Sequence, residues 1–194
     1  MESKNMDIVI VSYARTPIGS FLGALSSVSA TQLGAKAIEG AIKKINLSKD
    51  NIDQVIMGNV LSAGLGQAPA RQAAIYSGLP ESVECLTINK MCGSGLKAIM
   101  LAQEAISSGN ADIVVAGGME NMSLSPHLLQ NNRTGNKMGN SKLIDSMIND
   151  GLWDAYNDKH MGSCGEMCAE KYNFSRQEQD EFAKSSYKKS QNAT

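Results

Sequence analysis

Glu84-Cys85-Leu86-Thr87-Ile88-Asn89 runs into Lys90-Met91-Cys92-Gly93-Ser94-Gly95, and then into the helical stretch Leu96-Lys97-Ala98-Ile99-Met100-Leu101-Ala102-Gln103-Glu104-Ala105-Ile106. Past Gly109 comes Ile113-Val114-Val115-Ala116, ending in Gly117-Gly118. A short apolar strand, a glycine-flanked turn, a helix and a second apolar strand form one βαβ unit. The helix has few polar positions, so burial nearly all round is expected. Gly109 is its expected C-terminal stop.

The same alternation continues upstream. Ile8-Val9-Ile10-Val11 is a β-branched run expected to form a strand buried on both faces. It ends at a Pro17 and Gly19 loop. A helix is expected from about Thr31 as N-cap, with Leu33, Ala37, Ile38, Ala41, Ile42 and Ile45 on one face. Ile52 to Val60 reads as another strand, followed by the loop Gly64-Leu65-Gly66-Gln67. Pro69 opens the next helix, and Gly78 with Pro80 closes it. Alternating apolar strands and helices specify an α/β fold with a mostly parallel, helix-covered sheet.

The character changes near Met119. Residues 121–149 are rich in Asn, Ser, Gly and Lys and read as an excursion, not another βα unit. A helix is expected over roughly Cys164 to Tyr172. Ser175-Arg176-Gln177-Glu178 is a capping box that starts another, running toward Lys189. The expected domains are 1–120, an α/β domain, and 121–194, a loop domain.

Lys+Arg is 18 and Asp+Glu is 19 in 194 residues, a balance with no electrostatic footprint for nucleic acid. No apolar run reaches membrane-spanning length. Met1-Glu2-Ser3-Lys4-Asn5 lacks the marks of a targeting segment. Four cysteines, at 85, 92, 164 and 168, are too few and too uneven for a disulfide scaffold. A cytoplasmic protein with reduced thiols is expected.

Cys92 is the residue best placed for chemistry. A cysteine at a helix N-terminus meets the positive end of the macrodipole and unpaired N–H groups, surroundings typical of nucleophilic thiols. Gly93 and Gly95 leave room for a substrate near the backbone, whose N–H can donate to an oxyanion. A buried, inert cysteine at a strand end is the competing reading.

Asn89-Lys90-Met91-Cys92-Gly93-Ser94-Gly95-Leu96-Lys97-Ala98 resembles the acyl-accepting cysteine motif of the thiolase family. Four further landmarks follow the family's order. They are Ala14-Arg15-Thr16-Pro17-Ile18-Gly19-Ser20-Phe21, Gln67-Ala68-Pro69-Ala70-Arg71-Gln72-Ala73, Ala116-Gly117-Gly118-Met119-Glu120-Asn121-Met122-Ser123 and His160-Met161-Gly162. The Asn-Lys-Met-Cys-Gly-Ser-Gly form and His-Met-Gly resemble the short-chain, biosynthetic branch. Degradative members tend to carry Asn-Arg-Gln-Cys-Ser-Ser-Gly, and a degradative 3-ketoacyl-CoA thiolase is the alternative.

The resemblance implies a layered α/β/α fold and acetyl-CoA C-acetyltransferase chemistry by a ping-pong route. Cys92 is then acetylated, and a second acetyl-CoA yields acetoacetyl-CoA and free CoA. It also implies that Leu152, His160 and Met161 contact coenzyme A or the acyl group. No permanently bound cofactor is expected; coenzyme A thioesters are the substrates. A homo-oligomer, dimer or tetramer, is implied, with neither nucleic acid nor membrane as partner.

The family's remaining motifs, Gly-His-Pro, Cys-x-Gly-Gly-Gly and Asn-Glu-Ala-Phe, do not occur in these 194 residues, and neither His127 nor His160 is followed by Pro. The chain therefore reads as the N-terminal part of a thiolase, expected to be inactive alone or to serve as a partner-binding half. The helix after Cys92 is expected to show an exposed face in such a piece. Cys164 and Cys168 share a helix face. A metal would need two more ligands, so no metal site is assigned and both are read as small apolar fillers. Gly165-Glu166-Met167 departs from the family's usual Ala-Glu-Asn.

Overall fold

The computed structural model describes residues 7–193. Residues 1–6, which include the Met1–Asn5 stretch expected to lack a targeting segment, and Thr194 lie outside the described residues. The chain divides into two compact units, one ending at Met147 and the other beginning at Ile148.

The first unit is built on three parallel strands in the order β2-β1-β3, namely β1 (Gln54–Gly58), β2 (Glu84–Ile88) and β3 (Val114–Gly118). The central strand pairs in register with both neighbours, Val55 opposite Cys85 on one side and Val115 on the other. Its residues Val55 to Gly58 are all buried, as expected of a strand covered on both faces.

The covers are helices α1 (Ala30–Lys44), α2 (Pro69–Tyr76) and α3 (Ser94–Ser107). Strand residues alternate between faces. Val55 and Met57 accordingly join Ile38 and Ile42 of α1 and Ala70, Ala73 and Ala74 of α2 in one core. Ile56, between them, is buried outside that core and so takes the opposite face, where α3 packs against β1 and β3. The parallel sheet flanked by helices matches the expected fold class.

Three local expectations need correction. The N-cap of α1 is Ser29, not Thr31; its hydroxyl accepts the Gln32 N–H and the Gln32 side chain accepts the Ser29 N–H. Thr31 instead is buried. The run 8–11 forms no strand, and Val9, Ile10 and Val11 are 65–76% exposed. β-Branched residues favour extended backbone, but a strand requires a ladder partner. Here the following residues lie along α1 instead. Ser12 Oγ donates to the Ala41 carbonyl at 2.7 Å, and Lys44 Nζ sits 4.1 Å from the Tyr13 ring centroid.

The third correction concerns α3. Only Ser94, Ala98 and Ala102 are buried, while Leu96, Ile99 and Met100 are exposed. Burial all round does not occur; the exposed face that was the other expectation does. After β3 the chain forms the antiparallel pair β4 (His127–Leu129) and β5 (Leu143–Asp145).

The second unit contains the two-residue pair β6 (Trp153–Asp154) and β7 (Lys159–His160), then α4 (Met161–Lys171) and α5 (Arg176–Ala193). Ser175 and Glu178 form the expected capping box at the start of α5. No described helix is long and apolar enough to cross a membrane.

Candidate active site

Cys92 lies at the carboxyl end of the parallel sheet, between β2 and α3, and is exposed. Open α/β sheets bind ligands outside the carboxyl ends of their strands. The turn that presents Cys92 is held from beneath. Ser94, 5% exposed, accepts the Lys90 N–H at 2.8 Å and donates to the Met91 carbonyl at 2.6 Å. The N–H groups of Gly93 and Ser94 go to the Lys90 and Met91 carbonyls. Asn89 Oδ1 accepts the Met91 N–H at 3.0 Å.

Met91 has φ of 48°, a left-handed backbone that costs a non-glycine residue about 1 kcal/mol. Strain of this kind next to an exposed thiol is the sort that clusters at functional sites. Ser94→Ala removes both side-chain bonds and orphans the Lys90 N–H. A loss of about 1–3 kcal/mol in urea-unfolding free energy is expected. A loss under about 0.5 kcal/mol would show that Ser94 does not pin the turn.

Glycines let α3 reach the sheet. A Cβ on Gly58 would lie 2.6 Å from Ser94 Cβ, 2.8 Å from Ser94 C and 2.9 Å from Gly95 N. Gly118 faces Gly95 across the same gap, its own virtual Cβ 3.5 Å from Gly95 Cα.

The loops after β1 and β3 are joined by Glu120. Its carboxylate accepts the Val60 N–H at 2.8 Å, the Leu61 N–H at 3.2 Å and Asn59 Nδ2 at 2.8 Å. Asn121 Nδ2 reaches the carbonyls of Leu25, Ser26 and Val28, which ties the residues after β3 to the segment that precedes α1. Burial raises the Glu120 carboxyl above 4.5, against the pull of the Val60 and Leu61 N–H groups and the Asn59 amide.

A folded-state value above the unfolded one means that the folded chain binds this proton more tightly. That stabilisation is full below about pH 4.5 and is lost as pH rises through the raised value. The unaltered chain should therefore lose stability relative to Glu120→Gln as pH rises from about 4 to 7. Urea midpoints across that range check it; a relative gain with rising pH would refute it.

The other expected site residues lie in the second unit. Leu152 is half-buried and precedes Trp153, which pairs with His160 across β6 and β7. The Trp153 and His160 rings meet edge to face at 6.3 Å, and Trp153 Nε1 donates to Asp158 at 2.9 Å. His160 is the N-cap of α4, its Nδ1 accepting the Gly162 N–H at 3.0 Å. That bond leaves Nδ1 as acceptor, so in the neutral ring the proton is on Nε2. His160 and Met161 are exposed. The unit thus groups Leu152, Trp153, His160 and Met161 around one small hairpin, while Cys92 belongs to the other unit.

Cys164 is half-buried and Cys168 exposed, both with free thiols. The filler reading fails for Cys168, because α4 has no buried residue and offers it no core to fill. Cys85 is half-buried beside the core, and burial raises its thiol above 9.0, with Arg71 opposing. Among the described residues, no three of His, Cys, Asp and Glu are grouped to hold a metal.

Sequence reasoning missed Ser94 as the pin, Met91 as the strained residue and Glu120 as the loop brace. For Met91 the sequence carries no signal, since nothing marks a methionine for left-handed backbone. For Glu120 the signal was an acidic residue two positions after an apolar, glycine-ended strand.

The family model described as "Thiolase, N-terminal domain" matches residues 8–194. The chain is 53% identical over 183 residues to "Acetyl-CoA acetyltransferase 2" of Arabidopsis thaliana, covering 94% of this chain and 45% of that protein. It is 54% identical over 187 residues to "Acetyl-CoA acetyltransferase" of Cupriavidus necator, covering 96% of this chain and 48% of that protein. The figures for "Probable acetyl-CoA acetyltransferase" of Escherichia coli K12 are the same, 54%, 187 residues, 96% and 48%. The chain thus spans about half the length of the curated relatives it matches. Shared sequence over nearly the whole chain, on a parallel sheet that presents Cys92 at its carboxyl end, places the chain in the thiolase family, as an N-terminal domain of that family.

Proposed function

We propose that this chain is the nucleophile-bearing part of an acetyl-CoA C-acetyltransferase. The observation that carries the reading is the exposure of Cys92 on a turn pinned by Ser94 at the carboxyl end of the sheet. The names of the relatives support the short-chain branch.

In the complete protein, Cys92 Sγ attacks the thioester carbonyl of acetyl-CoA. A carbon–sulfur bond forms to Cys92, the bond to CoA breaks, and CoA leaves and takes a proton. A second acetyl-CoA then loses an α-proton. Its carbanion forms the carbon–carbon bond with the acetyl group, releasing Cys92 and acetoacetyl-CoA. The Cys92 N–H is assigned to one oxyanion hole. The base that takes the α-proton is assigned to motifs that these 194 residues do not contain.

By role, residues 1–120 form the nucleophile domain and 121–194 the loop domain that binds CoA through Leu152, His160 and Met161. The complete protein is read as a cytoplasmic homo-oligomer without a bound cofactor.

The test compares alkylation rates within the folded 194-residue chain, by iodoacetamide and peptide mass mapping. Cys92 should react fastest. Cys85 should lag because it is half-buried and its thiol is shifted up. Cys168 is the sharper comparison, being exposed as well. A Cys92 rate no greater than that of Cys168 would show exposure alone and sink the reading of an activated nucleophile.

A further inference from the structure

We propose that Cys164, Met167 and Cys168 form a three-sulfur site for monovalent copper on the open face of α4. The residues stand at i, i+3 and i+4, so their side chains share one helix face. All three line one shallow, open depression on the surface of α4, with Glu170, Lys171 and Tyr172. Both thiols are free, and Cys168 is exposed, so an ion has access.

Helix geometry favours an ion over a disulfide. Cβ atoms four apart on a helix are about 5–6 Å apart. A disulfide wants about 3.8 Å and would distort the helix. One metal bound to each sulfur at roughly 2.3 Å bridges the wider gap with only side-chain rotation.

The donor set selects the ion. Thiolate and thioether sulfurs are soft ligands that favour Cu(I). Structural zinc takes four ligands, and His160, one turn before Cys164, has Nδ1 occupied by the Gly162 N–H. Charge is met as well. Two thiolates and one Cu(I) leave one negative charge beside Lys171, and Lys159 Nζ, which donates to Met167 Sδ at 3.5 Å, is displaced from that sulfur by the ion and stays near the thiolates as a counter-charge. Binding releases two protons, one from each thiol, and transfers no electron. Counting Cys164 and Cys168 alone leaves a metal two ligands short. Met167, which replaces the family's usual asparagine, supplies a sulfur that such a count leaves out.

The experiment titrates the reduced 194-residue chain, without oxygen, against the coloured Cu(I)–bicinchoninate complex, with Cu(I) as the only probe. The chain should withdraw one equivalent more copper than Cys164→Ser/Cys168→Ser, which keeps Cys85 and Cys92. Met167→Leu should hold that copper on the order of tenfold more weakly. Helical circular dichroism should be unchanged, because these positions are not buried. Equal copper uptake by the unaltered chain and the double-serine chain would overturn the site. Equal affinity in Met167→Leu would overturn the three-sulfur assignment.

Discussion

Gly58→Ala should lower the stability of the sheet-bearing unit by about 3 kcal/mol, a fall of roughly 6–12 °C in its Tm. The new Cβ would meet Ser94 Cβ at 2.6 Å, Ser94 C at 2.8 Å and Gly95 N at 2.9 Å. Two of those atoms are backbone, so no rotamer change relieves the contact. Either α3 lifts from the sheet or β1 shifts against β2 and β3, with which it is paired along its whole length. The first course displaces the Cys92 turn, since Ser94 both begins α3 and pins that turn. Gly165→Ala is the control. Its Cβ would find nothing within 4 Å inside α4, so a gain of about 0.5–1 kcal/mol is expected. A loss under about 1 kcal/mol for Gly58→Ala would show that the approach of α3 is not set by that glycine.

The same contrast shows how much of the fold could be read from residues alone. Hydrophobic runs located β1, β2 and β3 and the helices between them, because strands buried on both faces and helices with apolar stripes leave periodic marks. The run 8–11 carried the mark of a strand and did not become one. Pairing is a property of neighbours, and β-branched residues specify only an extended backbone. The helix after Cys92 misled in another way. Leu96, Ile99 and Met100 are apolar as a buried helix would be, yet lie exposed. An apolar side chain records what a residue is suited to meet, while burial depends on what is present to meet it.

At the site, Cys92 was legible because a glycine-flanked cysteine between strand and helix is an uncommon arrangement, and the family resemblance sharpened it. Its supports were not. Ser94 looks like any small residue in a turn, and its two hydrogen bonds depend on Met91 taking a left-handed backbone. Gly58 looks like a strand-end glycine until α3 is laid against it. Such positions become visible only when elements distant in sequence are brought together. Met167 is the reverse case. Its difference from the family's usual residue was visible, but the role proposed for it rests on the surface it shares with Cys164 and Cys168.

Cys92→Ser, made in the complete protein, should reduce kcat for acetoacetyl-CoA formation by about 10³-fold or more. A serine hydroxyl is close in shape to the thiol but a much weaker nucleophile without strong activation. The fold should not suffer within these 194 residues, where Cys92 is exposed and outside the core cluster; in the 194-residue chain an unfolding free energy within about 0.5 kcal/mol of the unaltered chain is expected. Affinity for CoA should also hold, since the residues proposed to contact it, Leu152, His160 and Met161, lie in the other unit. A fall in kcat with stability and CoA affinity intact isolates the nucleophile from the scaffold and from binding. Mass spectrometry gives the complementary reading. Brief exposure to acetyl-CoA should leave an acetyl group on Cys92 in the unaltered protein and none on the serine variant. A variant that keeps kcat within about tenfold would remove Cys92 from the mechanism, however well the pinned turn presents it.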